Sequence, residues 1–348
     1  MAPTLRFLVL GAGAVGIYVG GSLALHGYPV VFVHRPEYAV ELRQNGLRLS
    51  LPNGEHKIER PTIAADLAEA LHFGPFDVVI LALKSYDTPA AIDLMQPFTR
   101  TIPTILSLQN GIENEALLVQ AFGPKKVIAG TLTSAIARRG LGDIILERLR
   151  GVGIAGDHPL AMSLARAFNA SGLNARIYPS ALEMKWSKLL TNLLGNATSA
   201  ILDLSPEQVF SDPRSFQLEM RQLREALAVI DAQNLSPVDL PGTPVRALAF
   251  AVRYLPAMFL KPVLSNAVGV GRGGKMPSFH IDLHAGRGRT EVDYLNGAVV
   301  RYGERLGVPT PLNRLLNETL QALARGEIPL DKYARQPEKL FALANRGI

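Results

Sequence analysis

The chain has 348 residues, 48% of them hydrophobic, and a formal charge of +6. This length allows a large core in two domains, or in one domain with insertions, so a soluble globular protein is expected. Lys and Arg are spread along the chain without a long run of like charge, which favours a small anionic ligand over a nucleic acid. The lack of Cys excludes disulfides, thiolate metal sites and Cys nucleophiles, and it fits a cytoplasmic location.

The first predicted elements form a dinucleotide-binding turn. Residues 5–10 predict a strand and 15–26 a helix, and a GxGxxG pattern joins them. The pattern consists of Gly11, Ala12, Gly13, Ala14, Val15 and Gly16. Its three glycines permit a tight turn, a close approach of pyrophosphate to the backbone and close packing of helix on strand, while the helix N-terminus attracts the phosphates. GxGxxG alone is a weak signal, but this context favours a dinucleotide site over a structural turn.

The second predicted strand, 30–33, ends in His34 and Arg35. Dinucleotide-binding folds often place an acidic residue here to bind the ribose hydroxyl of NAD, whereas an arginine accommodates the 2′-phosphate of NADP. Arg35 therefore predicts NADP(H). Two alternatives stay open, since Arg35 could be a solvated loop residue and Glu37 could make the acidic contact.

Two later strands, 78–83 and 104–108, lead into Lys84 and Asn110. Ligands of open α/β sheets bind outside the carboxyl ends of the strands, so both side chains are expected at the cofactor crevice. Alternatively, Lys84 reaches into solvent and Asn110 only forms a turn. With further strands at 127–129 and 152–155 and a helix at 113–122, the alternation predicts a parallel sheet covered by helices.

Long helical patterns replace this alternation after Tyr178. They cover 182–202, 213–233, 245–260, 290–306 and 311–324. We therefore predict an α/β protein with a Rossmann-type parallel sheet domain at 1–178 and an all-helical domain at 179–348, with a ligand cleft between them. The apolar stretch 247–264 carries two charges and two prolines, so no membrane span is expected.

The helical pattern at 182–202 carries polar residues on one face. Lys188, Asn192 and Asn196 recur every four residues among leucines. One ammonium group beside two amides suits a polar substrate, and burial lowers the pKa of an ammonium group, which favours proton transfer. A solvent-facing stripe or a polar network between helices is the structural alternative.

A block near the C-terminus, GGKMPSFHIDLHAGRGRTEVDYLNG, offers Ser278, Asp282 and Glu291 as further site residues. The two carboxylates could equally be helix caps or surface charges. His280 and His284 are spaced i, i+4, but the spacing supplies no third ligand, so we expect no metal site.

Together these motifs resemble the ketopantoate reductase family (2-dehydropantoate 2-reductase), nearly end to end. The resemblance implies that the glycine loop binds the pyrophosphate, Arg35 the 2′-phosphate, and Lys84 and Asn110 the cofactor. It implies that Lys188 is the general acid and that Glu291 orders Lys188 or contacts the nicotinamide end. The implied substrate ligands are Asn110, Lys188, Asn192, Asn196, Ser278 and Asp282.

The expected function is therefore NADPH-dependent reduction of 2-dehydropantoate to pantoate. Reduction of another bulky 2-oxo acid is an alternative, because the chain has a long apolar insert at 241–274 where many family members are shorter. A non-catalytic NADP(H)-binding regulatory protein is a third possibility. The expected partners are a small 2-oxo acid and, because symmetric dimers are common, a second copy of the chain.

Overall fold

The structure is a computed structural model that describes residues 5–256, 260–261 and 276–346. The chain forms two units. The first runs to Lys185 and includes Leu240–Thr243, and the second consists of Trp186–Asp239 and the described residues from Pro244 onward. The boundary at 178 stays a prediction.

The described residues of the first unit form twelve strands in two sheets. They are β1 (Phe7–Leu10), β2 (Val30–Val33), β3 (Leu47–Leu51), β4 (Gly54–Ile58), β5 (Thr62–Ala64), β6 (Val78–Leu81), β7 (Thr104–Ser107), β8 (Val127–Leu132), β9 (Ala135–Gly140), β10 (Asp143–Arg148), β11 (Val152–Ala155) and β12 (Ala175–Tyr178). The larger sheet has the order β12-β11-β8-β7-β6-β1-β2-β5. Its neighbouring strands are parallel except β8 and β11, which are antiparallel. The predicted parallel sheet is confirmed.

Both faces of the larger sheet are buried. Phe7 and Val9 of β1 join one apolar core, whereas Leu8 and Leu10 join the other. Helices that lie wholly in this unit follow its strands: α1 (Ala14–Leu25), α2 (Pro36–Asn45), α3 (Leu67–Leu71), α4 (Thr88–Met95), α5 (Asn114–Phe122) and α6 (Ala161–Ala170). Burial on both faces explains why the central strands are continuously apolar rather than alternating.

The smaller sheet, in the order β4-β3-β10-β9, was not predicted. Its strands mix charged and apolar residues, as in GEHKI and AIARRG, so their apolar content does not stand out in the sequence. Leu47 and Leu49 of β3 are nevertheless fully buried. A Cβ atom on Gly21 of α1 would lie 2.7 Å from the Leu49 side chain, so this sheet packs tightly against α1.

After β12, the described chain is mainly helical. The helices there are α7 (Ala181–Leu193), α8 (Ala197–Leu202), α9 (Pro206–Ser211), α10 (Pro213–Ala232), α11 (Val245–Tyr254), α12 (Ser278–His284), α13 (Val292–Leu306), α14 (Pro311–Ala324) and α15 (Pro337–Arg346). The predicted helical C-terminal region is confirmed. In the described part of the chain, no helix is both long and apolar enough to cross a bilayer.

The predicted single helix at 182–202 is wrong. The structure ends α7 at Leu193 and begins α8 at Ala197. Gly195 between them has a φ of +57°, and its N–H donates to the carboxylate of buried Glu219 at 2.7 Å. A left-handed glycine with its amide bonded to α10 cannot continue the helix.

The apolar insert at 241–274 is described only in part. Helix α11 covers Val245–Tyr254, shorter than the predicted 245–260. Residues 257–259 and 262–275 lie outside the described part of the chain. The expected influence of the insert on the choice of substrate therefore stays a prediction.

Candidate active site

The glycine loop has the geometry that a phosphate-binding turn requires. Gly11 has a φ of +104°, and a Cβ atom there would lie 2.8 Å from Leu83 Cδ2. A Cβ atom on Gly16 would lie 2.0 Å from the Gly11 carbonyl oxygen, whereas one on Gly13 would meet no atom within 4 Å. Packing therefore leaves no room for a side chain at Gly11 or Gly16, whereas Gly13 leaves space in front of the N-terminus of α1. The loop fits a pyrophosphate held by the helix N–H groups.

Basic residues surround the end of β2. Arg35 is the residue before α2, and its guanidinium lies 4.9 Å from the Tyr38 ring centre and 3.4 Å from Glu37. Burial lowers the pKa of His34, and the charges of Arg35 and Arg138 lower it further. Arg138, on β9 of the smaller sheet, is thus a second arginine close enough to act on the charge of His34.

Lys84 and Asn110 are tied together by a buried network at the ends of β6 and β7. Gln109 Nε2 donates to Thr88 Oγ1 at 2.9 Å and to the Lys84 carbonyl at 3.3 Å. The Asn110 carbonyl accepts from Ser85 Oγ at 2.8 Å and from Asn114 Nδ2 at 2.6 Å. These bonds fix the two predicted cofactor residues next to each other at the carboxyl edge of the sheet.

The buried lysine of α7 is Lys185 rather than Lys188. Lys185 is 3% exposed and donates to the Glu115 carboxylate and to the Gln109 carbonyl, both at 2.7 Å. It therefore supports the backbone one residue before Asn110. Lys188, one turn later, is only half-buried.

In the second unit, two predicted substrate residues that are distant in sequence meet. Asn196 Nδ2 lies 3.4 Å from Ser278 Oγ, and Asn196 Oδ1 accepts the Phe279 N–H at 3.1 Å. Asn196 Nδ2 also donates to the Asn192 carbonyl at 3.1 Å. The break after α7 thus places Asn196 at the start of α8, facing the start of α12, with an amide and a hydroxyl side by side.

Two carboxylates predicted for the site are buried. Asp282, on α12, accepts from Arg287 Nη1 at 3.1 Å, and its side chain is 5% exposed. Glu291, the residue before α13, is 2% exposed. Because both carboxylates are buried, they are not surface charges, which was one of the alternatives for these two residues.

Several of these residues were missed from the sequence. Arg138 belongs to the unpredicted smaller sheet, so only the adjacent basic pair in AIARRG could have pointed to it. Lys185 lies one turn from Leu189 on α7, a spacing that predicts a shared buried face. Gln109 and Asn114 flank Asn110 in QNGIEN, and their burial, 3% and 0% exposed, depends on contacts across the sheet.

Comparison with known proteins identifies the family. The model described as ketopantoate reductase PanE/ApbA matches residues 7–157, and that of its C-terminal part matches 180–324. The chain belongs to the ketopantoate reductase family. The 2-dehydropantoate 2-reductase of Halobacterium salinarum is 30% identical over 333 residues, which cover 92% of this chain and 99% of that protein. The expected oxidoreductase is confirmed, in a family of nicotinamide-dependent reductases.

Solved structures share the fold. A PanE/ApbA family ketopantoate reductase from Ralstonia eutropha has a TM-score of 0.78 and 26% identity, over 93% of this chain and 99% of that one. A D-mandelate dehydrogenase with NADH and anilino(oxo)acetate has a TM-score of 0.76 and 21% identity, over 92% and 99%. The second likeness concerns the fold alone.

Proposed function

We propose that the protein reduces 2-dehydropantoate to pantoate with NADPH and that Lys188 is the general acid. The observation that carries this proposal is the Asn196–Ser278 pair. These residues were predicted as substrate ligands from separate motifs, and their side chains lie 3.4 Å apart. Membership of the ketopantoate reductase family supports the same reaction.

The cofactor half of the proposal depends on the first unit. Gly11 and Gly16 exclude side chains, Gly13 leaves open space at the helix N-terminus, and these features suit a pyrophosphate. Arg35 and Arg138 are two guanidinium groups for a 2′-phosphate, which binds them through charge-assisted hydrogen bonds. When bound, NADPH supplies a hydride to the 2-oxo carbon.

The second unit supplies the polar groups for the 2-oxo acid. Hydride addition leaves negative charge on the carbonyl oxygen, and the Lys188 ammonium group stabilises that charge and then donates a proton to it. Amides of Asn192 and Asn196 fix the oxygen atoms of the acid, and Ser278 donates to its carboxylate. Asp282, held by Arg287, accepts from the substrate hydroxyl.

Lys188→Ala tests the general acid. We expect kcat for 2-dehydropantoate to fall about 10²–10⁴-fold, with the Kd for NADPH unchanged. Lys125→Ala is the matched control, because Lys125 is an exposed lysine, and it should keep full activity. Full activity of Lys188→Ala would show that the general-acid assignment is wrong, and NADPH binding without any turnover by the wild type would favour a regulatory protein.

Arg35→Asp and Arg138→Ala test the choice of NADPH. Loss of one charge-assisted phosphate contact costs about 1.5–3 kcal/mol, so each variant should raise KM for NADPH roughly tenfold or more and change KM for NADH little. Arg139→Ala is the control, because Arg139 pairs with Asp143 and Glu55. Equal changes for both cofactors would contradict the phosphate role.

A further inference from the structure

Three potential metal ligands converge at the ends of α8 and α12. Asp203 ends α8 in the left-handed conformation, with φ 48° and ψ 46°. Its Oδ1 lies 2.8 Å from Nε2 of His280 and 3.9 Å from Nε2 of His284. The sequence offered the two histidines one helical turn apart without a third ligand, and the fold brings that ligand from 77 residues away.

The donor set suits a divalent transition metal. Two imidazoles and one carboxylate are borderline and hard donors of the kind that bind Zn²⁺ in three-ligand sites with one open position. One ligand atom from each residue lies within 4.8 Å of the other two. At ligand-to-metal distances of about 2.0–2.2 Å, the ligand atoms of a tetrahedral site lie about 3.4 Å apart. Asp203 would therefore move slightly away from His280 and slightly toward His284 to hold an ion.

The surroundings allow an ion to enter. The side chain of His284 is 41% exposed and that of Asp203 37%, whereas that of His280 is 14% exposed. The two imidazole rings are adjacent, with a centroid distance of 4.1 Å and an angle of 32° between their planes. An ion could therefore reach the group from solvent past Asp203 and His284, with His280 placed more deeply.

We propose that Asp203, His280 and His284 bind Zn²⁺ or a chemically similar divalent cation. The ion would join the C-terminal end of α8 to α12, and the N-terminal ends of the same two helices carry the Asn196–Ser278 pair. Asn196 and Asp203 flank α8 (Ala197–Leu202), and α12 runs from Ser278 to His284. Metal binding would therefore hold α8 against α12 and stabilise the second unit, independently of the cofactor.

Zinc titration of the full-length protein tests this proposal. Chelator-treated wild type, His284→Ala, Asp203→Asn and His72→Ala are titrated with Zn²⁺ by isothermal calorimetry. His72 is an exposed histidine in the first unit, so His72→Ala is the matched control. We expect one Zn²⁺ per chain for the wild type and for His72→Ala. The other two variants should lose more than about tenfold in Zn²⁺ affinity, because tenfold is the smallest loss expected even for a residue that only supports a metal ligand.

Two further readouts separate a metal site from a hydrogen-bonded His–Asp pair. Zn²⁺ should raise the Tm of the wild type but not that of His284→Ala, and Co²⁺ should give visible absorption bands that are absent in that variant. His284 is exposed, so its replacement by Ala should leave the protein folded, which circular dichroism checks. Equal Zn²⁺ affinity in all four proteins, or no binding to the wild type, would overturn the proposal.

Discussion

Replacing Lys185 by Met removes a buried ammonium group but keeps an unbranched side chain of similar length. The Glu115 carboxylate, 2.7 Å away and 15% exposed, then loses its counter-charge, and the Gln109 carbonyl loses a donor at 2.7 Å. Breaking a buried pair by removing one partner costs about 3–5 kcal/mol. Since Glu115 keeps some access to water, we expect the lower end, a loss of about 3 kcal/mol in unfolding free energy.

The assay is urea denaturation followed by far-UV circular dichroism and by the fluorescence of Trp186, the only tryptophan in the sequence. Lys57→Met is the matched control, because Lys57 forms an ion pair with Glu59 whose side chains are 41% and 69% exposed. An exposed pair contributes at most about 1 kcal/mol.

A double variant separates the lost charge from the altered packing. Lys185→Met combined with Glu115→Leu replaces both charges by apolar groups, which is often neutral in a buried pair, so it should recover most of the stability. The reasoning fails if Lys185→Met costs no more than Lys57→Met, or if the double variant is no more stable than Lys185→Met alone.

Three further predictions concern the loop, a histidine and the substrate amide. Gly16→Ala should lower the Tm and abolish NADPH binding, because its Cβ atom would lie 2.0 Å from a carbonyl oxygen, whereas Gly13→Ala should fold normally and only weaken NADPH binding; scanning fluorimetry with and without NADPH checks both. Burial and two arginines lower the pKa of His34 in the folded protein below its ordinary value of 6.5. The folded protein therefore loses stability relative to the unfolded chain as the pH falls below 6.5, where the unfolded chain binds a proton more readily. The Tm of the wild type should therefore fall more than that of His34→Gln on acidification, and parallel curves would contradict this. Asn196→Ala should raise KM for the 2-oxo acid about tenfold, as expected for a lost hydrogen bond of about 1.4 kcal/mol, without changing the Kd for NADPH; steady-state kinetics and calorimetry measure the two constants.

The sequence was sufficient where a segment's own residues determine its structure. The strands at 30–33 and 152–155 and the helix at 311–324 have the predicted bounds. Short runs of apolar residues predict the two strands, as expected for strands that are buried on both faces. Pro at the first turn predicts the start of the helix. The glycine loop was recognisable for the same reason, since Gly11 and Gly16 are required by local backbone geometry.

Contacts between distant residues account for what was not predicted. The break between α7 and α8 depends on Glu219, 24 residues beyond Gly195. Likewise, the choice between Lys185 and Lys188 as the buried lysine depends on Glu115, 70 residues earlier. Helical periodicity in a single segment contains no information about either partner, so the sequence predicted the residue types of the site better than their environments.

The central claim is the reduction of 2-dehydropantoate with NADPH, and a cofactor-by-substrate comparison tests it most directly. Purified protein is assayed for loss of reduced-nicotinamide absorbance with NADPH and with NADH, each against 2-dehydropantoate and a panel of bulkier 2-oxo acids. We predict the highest kcat/KM for NADPH with 2-dehydropantoate. A higher kcat/KM for another 2-oxo acid would contradict the substrate, a higher value with NADH would contradict the cofactor, and NADPH binding without turnover of any acid would contradict the reaction itself.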